Sequence, residues 1–191
     1  MIEIIEKADQ SLFLVINGFN SPLIDPIIGF LTTTWAWIPL YLILLWKIIS
    51  KYKKHAIAIL VGIALVVTLS DQFTSRFMKP NFKRLRPCYE PALSGKVHTP
   101  FHCGGEYGFC SSHAANTAGV AFLIYLLLIN TNKLIGFVFL WPIFVSYTRI
   151  YLGVHYPLDV LMGALVGIII ALVIYLLLKI GYFNKYKIGI S

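Results

Sequence analysis

Three short clusters of basic, hydroxyl and imidazole side chains interrupt an otherwise apolar sequence. In chain order they are Lys79 and Arg86; Ser111, Ser112 and His113; and Arg149, His155 and Asp159. Cations neutralise a phosphate ester, and an imidazole can attack phosphorus or protonate a leaving oxygen, so this set is suited to phosphate transfer. The clusters hold no group of carboxylates of the kind that binds Mg²⁺.

The third cluster predicts a nucleophile. Asp159 follows His155 by four residues, so its carboxylate can accept a hydrogen bond from one ring nitrogen, fix the tautomer and leave the other nitrogen free to attack phosphorus. His113 is then expected to be protonated and to donate to the leaving oxygen, so the two imidazoles must hold opposite charge states. The alternative is structural: the His155–Asp159 pair caps a helix, and His113 only begins one.

The remaining members of the clusters predict an anion-binding site. Lys79, Arg86 and Arg149 supply fixed positive charge; a guanidinium matches a pair of phosphate oxygens, whereas an ammonium acts as a point charge. Because a helix is expected to begin at the second cluster, the backbone amides of Ser111 and Ser112 would point at the anion. Loop Lys and Arg residues also anchor lipid headgroups or cap helices, but a cation at the end of an apolar stretch, such as Arg149, is costly without a partner.

The elements that must position these residues are membrane helices. The chain is 58% hydrophobic and 13% charged, about half the charged share of a soluble domain. Its long apolar stretches predict five transmembrane helices, at residues 26–46, 56–77, 114–132, 134–148 and 160–178. Residues 1–17 form either an amphipathic helix at the interface or a sixth span. We therefore predict an all-α polytopic bundle of five to six transmembrane helices, with residues 1–191 as a single domain.

This arrangement brings the three clusters to one side of the membrane. Lys79 ends the second span, His113 begins the third, and two further crossings return the chain to that side at Arg149. Basic residues predicted for the opposite side are Lys47, Lys51, Lys53, Lys54, Lys133, Lys179, Lys185 and Lys187. Since basic residues on short loops stay in the cytoplasm, we predict a multi-pass protein of the cytoplasmic (inner) membrane. Its C-terminus would lie in the cytoplasm and its site would face the periplasm or the exterior. The formal net charge of +8 then needs no nucleic-acid partner.

Taken together, the clusters resemble the three motifs of the type 2 phosphatidic acid phosphatase (PAP2) superfamily. Those motifs are Lys-x6-Arg-Pro, Pro-Ser-Gly-His and Ser-Arg-x5-His-x3-Asp, and the similarity spans residues 79–159. The first motif is matched without a gap by Lys79, Arg86 and Pro87. The other two depart from the pattern, with Cys110 and Ser112 in place of the proline and glycine and Thr148 in place of the serine.

The resemblance implies a fold, a reaction and a role for each residue. The fold would be a membrane helix bundle with the PAP2/haloperoxidase-like core, and the protein would be a hydrolase that removes phosphate from a lipid without a metal. His155 would form a phosphohistidine with the help of Asp159, and His113 would protonate the leaving group and then activate water. The phosphoryl group would be held by Lys79, Arg86, Arg149 and the backbone of Ser111 and Ser112. A serine where the family has glycine would alter the geometry rather than abolish activity.

The expected substrate is a lipid phosphate or diphosphate, with the bilayer as surroundings and no protein partner implied. Residues 110–116 (Cys-Ser-Ser-His-Ala-Ala-Asn) are similar to family members that act on lipid A or undecaprenyl diphosphate, and phosphatidylglycerophosphate is also compatible. A lipid phosphotransferase is a second enzymatic interpretation. A transporter for an anion or lipid is a non-enzymatic one, although it would need charges deep in the spans rather than at one end.

Two further features carry expectations of their own. Cys88 and Cys103 lie on the predicted outer, oxidising side, where a disulfide between them would brace a long loop. The alternatives are a pairing with Cys110 and free thiols. Asp71, inside a predicted span, is expected to pair with a cation, and Gly163-x3-Gly167 permits close helix packing.

Overall fold

The computed structural model describes residues 2–186 and 188, and it folds them into helices joined by turns and one long loop. The α-helices of this part of the chain are α1 (Ile2–Gly18), α2 (Asp25–Leu31), α3 (Ile38–Tyr52), α4 (Ala56–Gln72), α5 (Lys79–Phe82), α6 (Ser112–Leu128), α7 (Leu140–Tyr151) and α8 (Pro157–Leu177). The described residues contain no β-strand, only an isolated antiparallel bridge between Leu85 and Tyr107. The all-α prediction is confirmed. Lys187, one of the basic residues assigned to the cytoplasmic side, lies outside the described residues.

Within the part of the chain that the structure describes, three helical segments are long and apolar enough to cross a membrane. They are Thr34–Phe82, Lys133–Tyr151 and Pro157–Phe183, with 49, 19 and 27 residues. The first contains both α3 and α4. These two helices are separated at Lys53, whose backbone φ is 49°. Helix α6 is a shorter apolar helix of 17 residues. Large apolar side chains on these helices face outward, such as Leu42 (60% exposed), Ile57 (70%) and Leu161 (65%); such a surface suits hydrocarbon and is that of a membrane protein.

The first predicted span, residues 26–46, is wrong in its boundaries. The structure divides it into α2 and α3, which are joined by the 3₁₀ turn Thr34–Trp37. The hydroxyl of Thr33 donates to the carbonyl oxygen of Phe30 at 2.7 Å, and side-chain hydroxyls that bond to nearby carbonyls compete with helix continuation. The long apolar helix therefore begins at Ile38 rather than at residue 26.

Helices α3, α4, α6, α7 and α8 pack around a shared apolar core. On α6, Leu123, Ile124 and Leu127 are buried in it, together with Ile48 of α3 and Ile174 of α8. Because α6 contributes buried residues on several sides, it forms the centre of the bundle.

Close contact between α6 and α8 depends on two glycines. A Cβ atom at Gly163 would collide with the carbonyl oxygen of Ser111, and one at Gly167 would collide with that of Ala115. The prediction that this glycine pair permits close helix packing is confirmed, and the neighbour it accommodates is α6.

The polar clusters meet at one end of the bundle, which we call the site end. Lys79, where α5 begins, lies 3.2 Å from Ser112 at the start of α6, measured between Nζ and Oγ. The amide of Ser111 donates to the carbonyl oxygen of Asp159 in the first turn of α8, at 2.9 Å. At the opposite end, the hydroxyl of Tyr52 donates to the carbonyl oxygen of Leu127 at 2.7 Å.

Helix α1 lies across the site end. Asp9 Oδ1 accepts a hydrogen bond from the amide of Leu158 at 2.9 Å, at the start of α8. Asn17 Nδ2 donates to the carbonyl oxygen of Tyr151 at 2.8 Å, at the end of α7. These two contacts hold the second half of α1 against the start of α8 and the end of α7.

The long loop between α5 and α6 directs two arginines toward the bundle. Its residues on either side of the Leu85–Tyr107 bridge are paired: the amide of Arg86 donates to Glu106 O at 3.0 Å, and that of Gly108 donates to Arg84 O at 2.9 Å. Alternate side chains of an extended segment point the same way, so Arg84 and Arg86 face the bundle together.

The same loop carries the cysteines. The structure pairs Cys88 with Cys103 as a disulfide, with their Cα atoms 6.6 Å apart. Cys110 is a buried free cysteine. Of the two pairings that the sequence left open, the structure contains the first.

Candidate active site

A cavity of about 680 Å³ extends from the site end into the bundle. Six residues predicted from the sequence clusters line it: Lys79, Arg86, Ser112, His113, Arg149 and His155. Deeper in, its walls are mostly apolar and come from α3, α4, α6 and α7, for example Ile48, Leu60, Ile124 and Trp141. The cavity therefore has a cationic end, at the site end of the bundle, and a mostly apolar inner part, which we call the apolar sleeve.

The contacts of His155 define its tautomer. Its Nε2 lies 3.3 Å from Arg86 Nη1, and its Nδ1 lies 3.4 Å from Asp159 Oδ2. A guanidinium can only donate hydrogen bonds, so Nε2 must be the unprotonated nitrogen and Nδ1–H must face the carboxylate. When a phosphate takes over the donor of Arg86, the lone pair of Nε2 becomes available on the cavity side.

Burial keeps this ring neutral. His155 is 2% exposed, and desolvation lowers its pKa to about 4, an effect that the neighbouring carboxylate of Asp159 only partly offsets. The unprotonated nitrogen is therefore present near neutral pH, as a nucleophile requires.

Asp159 is fully buried, and both of its oxygens are occupied. Oδ2 accepts from the amide of Tyr156 at 3.0 Å besides facing His155, and Oδ1 accepts from Arg84 Nη1 at 2.7 Å. Arg84 also donates through Nη2 to Asp9 Oδ2 of α1 at 2.6 Å. Burial lowers the pKa of Arg84, but the charges of the two carboxylates outweigh it and the net shift is upward.

Arg84 and Asp9 were missed in the sequence. Asp9 lies 75 residues from Arg84 in the chain, and nothing in the local pattern of either residue indicates the other. The one available signal was the Arg84-Leu85-Arg86 spacing, since residues two apart share a face if the segment is extended.

Ser112 takes part in the cavity through its hydroxyl. Ser112 Oγ accepts from Lys79 Nζ at 3.2 Å and lies 2.8 Å from Thr74 Oγ1. The structure thus links Lys79 to the start of α6 at the position where the family pattern has a glycine.

Ser111 differs from its expected role. Its side chain is buried with no exposed area, its amide donates to Asp159 O at 2.9 Å, and its Oγ accepts from the amide of Ala114 at 3.4 Å. An amide already used in this way has no free hydrogen for a phosphate. Ser111 caps α6 and holds it against α8, and it does not appear among the cavity-lining residues.

Arg149 and His113 complete the cationic end. Arg149 Nη1 donates to Thr32 Oγ1 at 2.8 Å, while its buried Nε has no hydrogen-bond partner among the described residues. An unpartnered buried donor is costly unless a ligand supplies an acceptor. His113 is exposed to the cavity, in the first turn of α6.

Gly108 brings the backbone of the long loop close to His155 and Asp159. A Cβ atom here would lie 3.1 Å from Asp159 Oδ2 and 3.5 Å from His155 Nδ1. The loop can cover the His155–Asp159 pair because this position lacks a side chain.

The arrangement provides every group that phosphate transfer to a histidine needs. An unprotonated imidazole nitrogen lies at the cavity beside Arg86, and Lys79, Arg149 and a second imidazole line the same cavity. The apolar walls beyond are suited to the hydrocarbon of a lipid.

Comparison with known proteins identifies the family of the chain. A family model described as the PAP2 superfamily matches residues 56–180. A lipid A 4'-phosphatase of Bacteroides thetaiotaomicron is 37% identical over 170 residues, covering 87% of this chain and 75% of that protein. An undecaprenyl-diphosphatase of Sulfolobus acidocaldarius is 26% identical over 163 residues, covering 82% and 71%.

A solved structure shares the fold. The transmembrane PAP2-type phosphatidylglycerolphosphate phosphatase from Bacillus subtilis superposes with a TM-score of 0.69 at 20% identity, covering 97% of this chain and 88% of that one. The matched family model includes α4, α6 and α7, which line the cavity together with α3, and α8, which packs against α6. This chain belongs to the PAP2 superfamily.

Proposed function

We propose that the chain is an integral membrane lipid phosphatase that hydrolyses a phosphate monoester of the lipid A type through a phosphohistidine at His155. The observation that carries the proposal is the neutral imidazole of His155, held by Asp159 and Arg86 at the cationic end of a cavity that is apolar further in. The relative named lipid A 4'-phosphatase supports the substrate class.

In the first step the phosphate group binds between Lys79, Arg86 and Arg149. Arg86 transfers its hydrogen bond from His155 to a phosphate oxygen, and His155 Nε2 attacks phosphorus. The bond from phosphorus to the lipid oxygen breaks, and His113 gives that oxygen its proton. Asp159 stabilises the positive charge that develops on the His155 ring.

In the second step water replaces the lipid. The neutral His113 accepts a proton from a water molecule, whose oxygen attacks phosphorus while the bond to His155 Nε2 breaks. Inorganic phosphate leaves, and both imidazoles return to their starting states. The three cations balance the charge that a metal ion balances in other phosphatases, so the proposed reaction needs no cofactor.

We further propose how the chain lies in the membrane. Helices α3, α4, α6, α7 and α8 would be five spans, α1 would lie at the interface, and residues 1–191 would act as one domain. Lys51 lies at the end opposite the site, and basic residues favour the cytoplasmic side. The site would then face the periplasm or exterior of the cytoplasmic (inner) membrane, where a Cys88–Cys103 disulfide is stable, and the C-terminus would be cytoplasmic.

Hydrolysis of undecaprenyl diphosphate is the second candidate, since a relative at 26% identity carries that name. A phosphotransferase differs only in the acceptor of the second step. It would be recognised by radiolabelled phosphate that passes from the donor to a lipid acceptor rather than to water.

The test is phosphate release by the purified protein from lipid A, undecaprenyl diphosphate and phosphatidylglycerophosphate. We expect release from lipid A by the wild type and none by His155→Ala. The control variant is Gln72→Asn, at an exposed position of α4. Retained hydrolysis in His155→Ala would refute the nucleophile, and no release from any lipid by the wild type would refute the activity.

A further inference from the structure

A polar layer separates the cationic end of the cavity from its apolar sleeve. It consists of Asp71 and Ser75, from α4 and the π-helical turn that follows it, and Asn116 and Thr117 from α6. None of these four belongs to the sequence clusters that bind and cleave the phosphate.

Asp71 and Asn116 lie at the same depth. Ser75 Oγ and Ser112 Oγ are 3.1 Å apart, which fixes the level at which the two helical segments meet. The segment with α4 runs toward the site end, whereas α6 runs away from it. One turn deeper in the bundle is therefore four residues before Ser75 and four residues after Ser112. Those residues are Asp71 and Asn116, each about 5 Å beyond the serine pair.

Both residues have hydrogen-bonding capacity that the protein leaves unused. Among the described residues, the buried Oδ1 of Asn116 has no hydrogen-bond partner, and no hydrogen bond or ion pair involves the side-chain carboxylate of Asp71, whose backbone carbonyl accepts from Thr74 Oγ1 at 3.2 Å. The charge of Lys79 acts on Asp71, but the hydrogen bond of Lys79 Nζ goes to Ser112 Oγ at 3.2 Å. A carboxylate inside a membrane-spanning segment is costly, and one whose oxygens accept no hydrogen bond from the described residues can accept them from a ligand.

The chemistry of these groups defines what the ligand must offer. A carboxylate and an amide oxygen accept hydrogen bonds, so they require O–H or N–H donors. A second phosphate group would carry further negative charge toward Asp71 and would be disfavoured.

The leaving group of the reaction is the part of the substrate that reaches this layer. His113 protonates the leaving oxygen in the proposed mechanism, and Asn116 and Thr117 lie one turn further along the same face of α6. Past them the walls are apolar, for example Ile63, Val120 and Ile124. A substrate with its phosphate on His155 therefore passes its headgroup through the polar layer and its hydrocarbon beyond it.

We infer that Asp71 and Asn116 form a subsite for hydroxyl or amide N–H donors on the alcohol that leaves. The subsite selects the phosphate monoester of a headgroup that carries such donors, for example an acylated amino sugar. It disfavours a diacylglycerol phosphate, which has no hydroxyl or N–H donor, and it disfavours a diphosphate. This inference rests on the proposed phosphatase activity.

The experiment compares kcat/KM for three substrates in the same detergent: lipid A, which has donors; dioctanoyl phosphatidic acid, a monoester without them; and farnesyl diphosphate. Asp71→Asn removes the charge at nearly constant shape. For this variant we expect kcat/KM for lipid A, divided by kcat/KM for phosphatidic acid, to fall at least tenfold. The corresponding ratio of farnesyl diphosphate to phosphatidic acid should rise. Gln72→Asn, next to it but outside the cavity lining, should keep both wild-type ratios.

The outcomes separate the inference from the activity on which it rests. If the wild type hydrolyses lipid A and Asp71→Asn keeps both ratios, the subsite is refuted while the phosphatase activity stands. If the wild type hydrolyses none of the three substrates, the proposed function itself has failed. Should Asp71→Asn not fold, Asn116→Leu tests the same lipid A to phosphatidic acid ratio, and an unchanged ratio would again overturn the subsite.

Discussion

The imidazole of His155 can act as a nucleophile only while it is neutral, and its surroundings secure that state. Removal from water favours the neutral ring, while Asp159 orients it through Nδ1. Arg84 in turn holds Asp159 through the oxygen that does not face the ring. Asp9 of α1, Arg84, Asp159 and His155 thus form one connected series of polar side chains, which ends at the ring of His155.

The lowered pKa of His155 predicts how stability depends on pH. The folded protein keeps this ring neutral down to about pH 4, whereas a histidine in the unfolded chain takes up a proton near pH 6.5. The stabilising contribution is therefore complete above pH 6.5 and is lost as the pH falls from 6.5 toward 4, by up to about 3 kcal/mol. In detergent, the Tm of the wild type should fall more steeply over this range than that of His155→Gln. Equal slopes of Tm against pH for the two proteins would contradict the lowered pKa of His155.

Arg84 is expected to act as a positioning residue. Arg84→Gln removes the charged hydrogen bonds to Asp159 and Asp9, each worth about 1.5–3 kcal/mol. We predict that kcat falls roughly tenfold or more while KM changes little, because the phosphate-binding cations remain. The matched control is Lys83→Gln, which changes the exposed neighbouring cation. A rise in KM with unchanged kcat would instead indicate that Arg84 binds substrate.

Single residues also show what the sequence could and could not predict. The spacing of His155 and Asp159 was sufficient to predict their contact, because one turn of helix fixes it. The partnership of Arg84 with Asp9 depends on how α1 crosses the bundle, which no local pattern contains. Ser111 was expected to offer its amide to the anion; the prediction missed that α8 comes close enough to take that hydrogen bond.

At the scale of elements, the site depends on the packing of α6 against α8. Helix α6 carries His113 and α8 carries Asp159, so the distance between these helices helps to set the geometry between the proposed acid and the nucleophile. Gly163 and Gly167 allow backbone to meet backbone there.

Gly167→Val should therefore destabilise the protein. The added side chain would meet the backbone at Ala115, which cannot rotate away, and overpacking of this kind costs about 1–3 kcal/mol. We expect Tm in detergent to fall by several degrees and activity to fall with it. Gly181→Val is the control, since a Cβ there meets no described residue within 4 Å; equal Tm values for the two variants would contradict the packing account.

The elements themselves were predicted with uneven success. The long apolar stretches after residue 56 correspond to α4, α6, α7 and α8, because hydrophobic length is a direct signal of a membrane helix. The first span was misplaced because its apolar composition continues through Thr34–Trp37, where hydrogen bonding rather than polarity ends the helix. Hydropathy carries no information on such a break.

At the scale of the whole molecule, the proposed function requires the site to face away from the cytoplasm. The chain should then expose the loop that carries Lys96 outside and the turn that carries Lys53 inside. Both residues are exposed. Labelling is feasible because Cys88 and Cys103 are joined and Cys110 is buried.

We predict that a membrane-impermeant thiol reagent added to intact cells, with an outer membrane permeabilised if there is one, labels Lys96→Cys and does not label Lys53→Cys. Disruption of the inner membrane should make both accessible, which controls for reactivity. The reverse pattern would mean that the site faces the cytoplasm.

The central claim is that His155 carries the phosphoryl group during turnover, and trapping that intermediate tests it most directly. The wild type would be mixed with lipid substrate radiolabelled in its phosphate, quenched at alkaline pH to preserve a phosphohistidine, and digested for mass spectrometry. We predict phosphate on His155 in the wild type and none in His155→Ala. Turnover by the wild type with the phosphate on another residue, or transfer straight to water with no labelled protein under single-turnover conditions, would contradict the claim.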